Sequence, residues 1–378
     1  MILGIDAHKL ATTEKTGTDE VTFNFFNHLP PQLLSEFDQV ILYTKLPIDK
    51  YLPAQLGKNI KIKTINLPWF WSSVGLSWQM RFSPPDILFV PSHSLPLVFP
   101  AKTATIIHDI GFFDYPQNYS RKQYYHLKKT TALAIKKAAL IFTPSYFVKK
   151  TLIDKYCADP NKLIVSHLGV DTNFFHSHHS QKTVNSTFKK YDERLAKKPY
   201  LLFVGRLDYR KNISNIIAAF TIFKKTTKYP HILVFGGKPG AGYDQFVEQV
   251  EQAGLRDEVV FTQYIPKKHL PIFYTEAELL LFPSFYEGFG IPVLEAQACR
   301  TPVITANVAA MPEIAGDAAL LVNPRDPEEI AFAIKKIIDN PALRQTLVEK
   351  GIKNAGQYPW SNFSNNILQA LIKLGKKI

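Results

Sequence analysis

Two glutamates that flank a glycine loop are the first residues of this chain whose spacing suggests chemistry. Glu287 precedes Gly288 and Gly290, and Glu295 lies one turn into the helix predicted to begin at Pro292. In an unbroken helix residues eight apart would be about 12 Å apart along the axis, but the glycine loop removes that constraint. A glycine loop that leads into a helix presents backbone N–H groups and a positive dipole end, which favour phosphate. One carboxylate can bind a ribose diol and the other can reach a sugar hydroxyl.

Two cations lie between a predicted strand and a predicted helix further up the chain. The strand ends at Gly205, Arg206 and Lys211 follow, and the helix begins at Asn212. An arginine can bind a diphosphate through two parallel hydrogen bonds, and a lysine adds a compact charge. The residues alone leave a second interpretation open, in which both cations are solvated surface residues.

A histidine–aspartate pair, His108 and Asp109, ends the strand predicted at 103–107. In a doubly wound sheet, ligands bind beyond the carboxyl ends of the strands, so an active-site histidine is expected here. A lone histidine is more often structural, although Gly111 soon after this pair favours function. His93 follows an earlier strand and is a weaker example of the same kind.

The elements that must position these residues are strands and helices that alternate along the chain. Near-continuous apolar strands between helices predict parallel sheets covered on both faces. The polar segment 174–198 has no apolar period and separates two series of strands, so it is predicted as the interdomain linker. The predicted strands are MILGI, QVILYT, IKIKTI, DILFV, TATIIH, LIFTP and LIVSH, then YLLFVG, HILVFGG, VVFT, ELLLF, PVIT and ALLV.

The EGFG motif with its E-x7-E spacing resembles the retaining, nucleotide-sugar-dependent glycosyltransferases of family four, the group 1 glycosyltransferases. The run GRLDYRKN at 205–212 resembles the Gly-Arg and Lys-Asn signature of that family, and residues 309–316 and 318–324 resemble its closing pattern. The resemblance implies an α/β protein of GT-B architecture, with two Rossmann-like domains whose parallel sheets face each other across a cleft. It covers nearly the whole chain.

The resemblance also implies the domain boundaries. An acceptor-binding domain is expected at 1–175, the linker at 176–198 and a nucleotide-sugar-binding domain at 199–357. A C-terminal helix at 358–378 is expected to cross back to the first domain.

Most of the predicted site residues take their roles from the same resemblance. Glu295 is expected to contact the ribose and Glu287 the donor sugar. The histidine of the HD pair is expected to contact the sugar O6, and its aspartate either orients it or meets the acceptor. The remaining expected contacts to the donor sugar, its diphosphate and its base are made by Gly17, Gly205, Arg206, Lys211, Gly237, Ile265, Gly288, Phe289 and Gly290. Family members carry a fuller glycine motif at this point, whereas here only Gly17 is present. This departure from the family pattern bears on the expected contact between Gly17 and the diphosphate.

The resulting prediction is a metal-independent retaining hexosyltransferase that moves a sugar from a nucleoside diphosphate sugar to a glycan or lipid-linked hydroxyl. No Asp-x-Asp metal motif is evident, and no cofactor is expected besides the donor. Mannose from a GDP donor is the first expectation, from the resemblance to bacterial mannosyltransferases, and glucose from UDP is the second. Two alternatives stay open: a two-Rossmann epimerase, and a non-catalytic nucleotide- or membrane-binding protein.

The bulk composition of the chain limits its partners and compartment. A net charge of +13 attracts polyanions. No arginine-rich arm, zinc spacing or RNA-binding signature is present, so an anionic membrane surface is favoured over nucleic acid, with the basic helical segment 120–138 as the docking face. Two cysteines, an N-terminus unlike a signal peptide and no apolar run of about 20 residues predict a cytoplasmic protein, peripheral at the inner face of the plasma membrane.

Overall fold

The structure is a computed structural model that describes residues 1–11, 17–48, 51–52, 57, 59–67, 71–92 and 94–376. The chain forms two compact units. Unit 1 comprises Met1–Phe113, Ser120–Gly169 and Trp360–Ile378, and unit 2 comprises Asp114–Tyr119 and Val170–Pro359.

Thirteen strands and fourteen α-helices are found in the described residues. The strands are β1 (Ile2–Asp6), β2 (Gln39–Thr44), β3 (Ile60–Thr64), β4 (Ile87–Val90), β5 (Thr103–Ile106), β6 (Leu140–Thr143), β7 (Leu163–Val165), β8 (Tyr200–Val204), β9 (Ile232–Gly236), β10 (Val259–Gln263), β11 (Leu279–Phe282), β12 (Val303–Ala306) and β13 (Leu320–Val322). The helices are α1 (Gly17–Asn27), α2 (Pro31–Leu34), α3 (Leu76–Phe82), α4 (Arg121–Lys137), α5 (Tyr146–Tyr156), α6 (Gln181–Phe188), α7 (Ile213–Thr226), α8 (Tyr243–Gln252), α9 (Leu270–Thr275), α10 (Ile291–Ala298), α11 (Met311–Ala315), α12 (Pro327–Ile338), α13 (Pro341–Ala355) and α14 (Trp360–Lys376).

Each unit is built on one parallel sheet. The strand order is β3-β2-β1-β4-β5-β6-β7 in unit 1 and β10-β9-β8-β11-β12-β13 in unit 2. Every residue of β4, β5, β9, β11 and β12 is buried. Such strands are apolar runs because helices cover both faces of the sheet. The predicted α/β class with two parallel sheets is therefore confirmed.

Side-chain caps explain where several helices begin. Ser120 and Gln123 form a reciprocal capping box at the start of α4, and the hydroxyl of Ser145 accepts the backbone N–H of Val148 at the start of α5. Asp326 accepts two first-turn N–H groups of α12. Each such cap contributes about 1 kcal/mol, because it satisfies backbone donors that the helix itself leaves unpaired.

Two sequence predictions differ from the structure at the level of elements. The segment 174–198, predicted to lack an apolar period, contains α6, and the apolar side chains of Val184 and Phe188 on that helix are buried. This segment lies within unit 2. The sequence also predicts helix over 326–355 without marking a break. The structure has α12 followed by α13 there, because Asn340 caps a new helix that begins at Pro341.

Candidate functional site

The N-terminus of α10 lies directly after the glycine loop at 288–290. Gly290 adopts a φ of +102°, which favours glycine, and a Cβ there would overlap the methyl group of Met311. Because Gly290 is also the N-cap, no side chain caps the first turn of α10. The helix begins at Ile291, one residue before the predicted start, so Pro292 is its second residue. The backbone therefore has the form of an anion-binding helix terminus.

The strongest electrostatic feature of the site is an ion pair between Lys211 and Glu287. The Lys211 ammonium donates to Oε1 of Glu287, and the two side chains are only 11% and 9% exposed. The Lys211 Nζ also lies 5.2 Å from the ring centroid of Phe282, at the end of β11. Two residues predicted for opposite ends of the donor, its diphosphate and its sugar, are thus in direct contact.

The backbone around Lys211 is held by Asn212, which the sequence analysis placed at the start of a helix and in the Lys-Asn signature. Asn212 has a left-handed conformation, with φ of 64°. Its amide nitrogen donates to the carbonyl oxygens of Pro283 at 2.8 Å and Pro324 at 2.6 Å. The asparagine thereby ties the loop that carries Lys211 to the loop that leads to Glu287.

The loops after β8 and β9 run side by side at the carboxyl end of their strands. The Gly205 N–H donates to the Gly236 carbonyl at 2.9 Å, and the Leu207 N–H donates to the Lys238 carbonyl at 3.0 Å. A Cβ at Gly237 would overlap the carbonyl oxygen of Gly205, so the close approach requires glycine. Arg206 lies between these contacts with its side chain exposed.

Glu295 is positioned by Tyr274, a residue that no sequence pattern indicated. The buried Tyr274 hydroxyl donates to Oε2 of Glu295 at 2.7 Å. Burial, and then the charge of Glu295, raises the pKa of Tyr274 well above its usual range, so the phenol stays a donor.

The position predicted beside the nucleotide base lies after β10. Ile265 is buried, and its Cδ1 occupies the space that a Cβ at Gly236 would need. The Gly237 N–H donates to the Gln263 carbonyl at 2.8 Å, and Lys238 Nζ lies 5.1 Å from the Tyr264 ring centroid. The predicted residues Gly237 and Ile265 are therefore on neighbouring strand ends of unit 2.

The other predicted residues belong to unit 1. The half-buried His108 has its Nε2 3.3 Å from the Pro91 carbonyl, and the carboxylate of Asp109 accepts the Gly111 N–H at 2.8 Å. Gly17 is the first residue of α1, and a Cβ there would meet no atom of the described residues within 4 Å. His93 lies outside the described residues.

A second polar pair in unit 1, after β1, was missed from the sequence. Nδ1 of His8 lies 2.6 Å from the carboxylate of the buried Asp6, and the ring centroids of His8 and Trp71 are 4.8 Å apart. β1 and β5 both pair with β4, so these residues and His108 belong to the same end of one sheet. The alternation of strands and helices in the sequence does not indicate which polar side chains meet at the end of a sheet, so this pair was not predicted.

No group of three or more His, Cys, Asp or Glu side chains in the described part of the chain is arranged to hold a metal ion. Positive charge at the site instead comes from Arg206, Lys211 and the terminus of α10. The independence of the reaction from metal stays a prediction.

Two Rossmann-like units with parallel sheets, and a glycine-capped helix beside a Lys–Glu pair, define the GT-B class of nucleotide-sugar enzymes. The solved structure of sucrose-phosphate synthase from Thermosynechococcus elongatus matches with a TM-score of 0.75 and 19% identity, over 99% of this chain and 98% of that one. At this identity the match shows the fold.

Sequence relatives establish the family. Residues 185–354 match the family model described as glycosyl transferases group 1. The chain is 30% identical over 279 residues to the O-antigen chain mannosyltransferase RfbU of Salmonella typhimurium, which covers 73% of this chain and 72% of that protein. It is 28% identical over 294 residues to O-antigen chain mannosyltransferase B of Escherichia coli, with 78% and 76% covered. The chain belongs to the group 1 glycosyltransferases and is a nucleotide-sugar-dependent hexosyltransferase.

Proposed function

We propose that the protein transfers mannose from GDP-mannose, with retention of anomeric configuration, to a hydroxyl of a glycan or lipid-linked glycan. The choice of mannose is supported by the two curated relatives, both named as O-antigen chain mannosyltransferases. Glucose from UDP-glucose is the second candidate donor. No cofactor takes part in the proposed reaction.

The observation that carries the proposal is the buried pair of Lys211 and Glu287 beside the terminus of α10. A ligand that carries both a diphosphate and a sugar hydroxyl can replace the contact between this cation and this carboxylate, because both groups are nearly free of water. Lys211 then binds the diphosphate and Glu287 binds the sugar. Arg206 is exposed, so it can reach the diphosphate from the solvent side.

The chemical step follows from these assignments. The bond between the anomeric carbon and the phosphate oxygen breaks, and its electron pair stays on the diphosphate. The acceptor oxygen forms its bond to the anomeric carbon on the same face, and its proton passes to the leaving phosphate oxygen. Arg206, Lys211 and the α10 terminus stabilise the charge that develops there, and such preorganised electrostatics are often the largest contribution to catalysis.

A thermal-shift panel of nucleoside diphosphates tests the donor. A ligand at 100 times its Kd stabilises a folded protein by about 2.7 kcal/mol, so the preferred base is readable as the largest rise in Tm. We expect GDP to exceed UDP, ADP and CDP. A larger rise with UDP would favour UDP-glucose as the donor. No rise with any of the four nucleotides would contradict the proposed function.

The two alternatives differ in what they release. An epimerase converts the donor without an acceptor, and a non-catalytic protein binds the donor and leaves it intact. We expect GDP release from GDP-mannose to rise severalfold when a mannose-terminated acceptor is added, together with a product one hexose heavier by mass spectrometry. Donor conversion that ignores the acceptor would favour the epimerase.

We further propose that the protein works in the cytoplasm and docks on an anionic membrane. Both cysteines are free, which is typical of a reducing compartment. No helix in the described ranges is long and apolar enough to cross a bilayer. Unit 1 supports docking in two places: the exposed lysines of α4, and the exposed aromatic side chains of Trp78 and Phe82 on α3.

A further inference from the structure

A cavity of about 450 Å³ lies in unit 2 at the N-terminus of α7. Its volume is in the range of small-molecule sites in proteins, which are mainly apolar with a few placed polar groups. None of the described side chains that line it carries a charge. The proposed donor contacts do not include this cavity.

Aromatic rings form much of the cavity wall. Tyr115 and Phe285 have nearly parallel rings, with an angle of 9° and centroids 6.2 Å apart. Tyr209 and Phe246 meet edge to face, with centroids 5.7 Å apart. Flat apolar faces of this kind pack against the C–H face of a sugar ring.

Amide and hydroxyl groups supply the polar part of the lining. Gln117 and Ser214 are exposed at the rim, and Asn215 donates to the Pro324 carbonyl at 2.9 Å. Amides and hydroxyls both donate and accept, which matches the hydroxyl groups of a carbohydrate.

Two further observations show that the cavity has hydrogen-bonding capacity to spare. Asn212 lines it and is 2% exposed, and Oδ1 of its amide has no hydrogen-bond partner among the described residues. No side chain caps the N-terminus of α7, so the N–H groups of its first turn receive no acceptor from a cap. Oδ1 of Asn212 is itself shielded from solvent, so the uncapped N–H groups of α7 are the donors that hydroxyl groups of a ligand in the cavity would meet.

We propose that this cavity is a carbohydrate subsite that holds one uncharged pyranose of the glycan acceptor. The inference rests on the proposed function, because it assigns the acceptor of that reaction a second point of attachment. The aromatic, amide and hydroxyl groups of the lining match a sugar ring, and the guanidinium of Arg325 lies over the Phe285 ring with its Cζ 5.2 Å from the centroid. The subsite makes the enzyme prefer an oligosaccharide acceptor over a single sugar.

Calorimetric titration without a donor tests the subsite directly, with mannotriose and maltotriose as probes. Ser214→Trp fills the cavity from its rim, and we expect it to weaken trisaccharide binding at least about tenfold. Thr226→Trp is the matched control, because Thr226 is exposed in the last turn of the same helix. Gln117→Ala removes a rim amide without adding bulk, and we expect a loss of about threefold.

The outcomes separate the subsite from the proposed function. Trisaccharide binding that is lost in Ser214→Trp and kept in Thr226→Trp supports the subsite, even if no donor is ever turned over. Equal binding by both variants, or no binding of either trisaccharide to the wild-type protein, overturns it. In transfer assays, Ser214→Trp should raise the acceptor KM for mannotriose and leave the acceptor KM for methyl mannoside unchanged. The same variant should keep the rise in Tm with GDP.

Discussion

Lys211 and Glu287, the residues proposed to bind the diphosphate and the sugar of the donor, form a direct ion pair. Each side chain is about one-tenth exposed, so each charge depends on the other as long as no ligand is bound. Removing one partner of a buried pair leaves an uncompensated charge, whereas removing both is often tolerated. Stability and catalysis can therefore be separated by mutation.

Lys211→Met should lower the free energy of unfolding by about 3 kcal/mol, because it leaves the Glu287 carboxylate unpaired. The double variant with Glu287→Gln should recover most of that stability and none of the transfer activity. Urea unfolding and a transfer assay measure the two effects. Arg206→Ala is the control, since this exposed residue should lose activity without losing stability. A fully stable Lys211→Met would show that the pair is not desolvated.

The two glutamates should fail in different ways when their charge is removed. Glu295 is assigned to the ribose, which is bound in ground and transition states alike, so Glu295→Gln should raise the donor KM about tenfold. Glu287 is assigned to the sugar, where positive charge develops, so Glu287→Gln should lower kcat. Tyr274→Phe removes the hydroxyl that holds Glu295 and should raise the donor KM by a smaller factor. The reverse pattern in a donor titration would exchange the two roles.

The charged residues of the candidate site can be proposed from the sequence more readily than the residues that hold them in place. Glu287 and Glu295 are recognisable because a glycine loop and a fixed spacing join them within one short segment. Tyr274 and Asn212 act through hydrogen bonds to residues that are distant in sequence or in other loops. Tertiary packing decides such contacts, and no local period records them.

At the scale of elements, buried strands are predictable and short amphipathic helices are not. The thirteen strands overlap the runs predicted from the sequence. Most of these runs are apolar because a parallel sheet covered on both faces needs them, whereas β3 (IKIKT) alternates with lysine and has no buried residue. Helix α6 is only eight residues long, and Val184 and Phe188 are its only buried apolar residues, too few to show a helical period. The break between α12 and α13 depends on the cap at Asn340, and a long apolar pattern hides it.

Glycine substitutions test the geometry of the strand ends. Gly237→Ala should be severely destabilising and should abolish the rise in Tm with GDP, because its Cβ would overlap the Gly205 carbonyl. Gly17→Ala is the matched comparison, because a Cβ at Gly17 would meet no atom of the described residues within 4 Å and the residue begins α1. We expect this variant to be as stable as the wild type. A loss of activity without loss of stability in Gly17→Ala would support the predicted approach of the diphosphate to this residue.

At the scale of the whole molecule, the net charge of +13 predicts salt-sensitive membrane binding. Each lysine near an anionic surface adds about 1 kcal/mol, and salt screens the attraction. The protein should sediment with phosphatidylserine vesicles at low salt and be released at high salt. Replacing the paired lysines of α4 by Gln should weaken this binding; these are Lys128, Lys129, Lys136 and Lys137. Trp78→Ala should also weaken binding, but by an amount that does not depend on the salt concentration. Equal sedimentation with neutral vesicles would show that these lysines form a solvated face of the helix and do not dock on the membrane.

The buried histidine His231 makes the stability of the protein depend on pH. Burial lowers its pKa below the ordinary value of about 6.5, since the charged imidazolium is poorly solvated there. The carboxylate of Glu278 works against this shift, and the charges of Lys224 and Arg344 add to it. The unfolded chain therefore takes up the proton first as the pH falls below about 6.5, so stability is present above this pH and is lost on acidification. His231→Phe removes the titration and keeps a ring against Phe223 and Tyr229. Urea midpoints at pH 7.5, 6.0 and 5.0 should fall less steeply for this variant than for the wild type, and parallel curves would contradict the assignment.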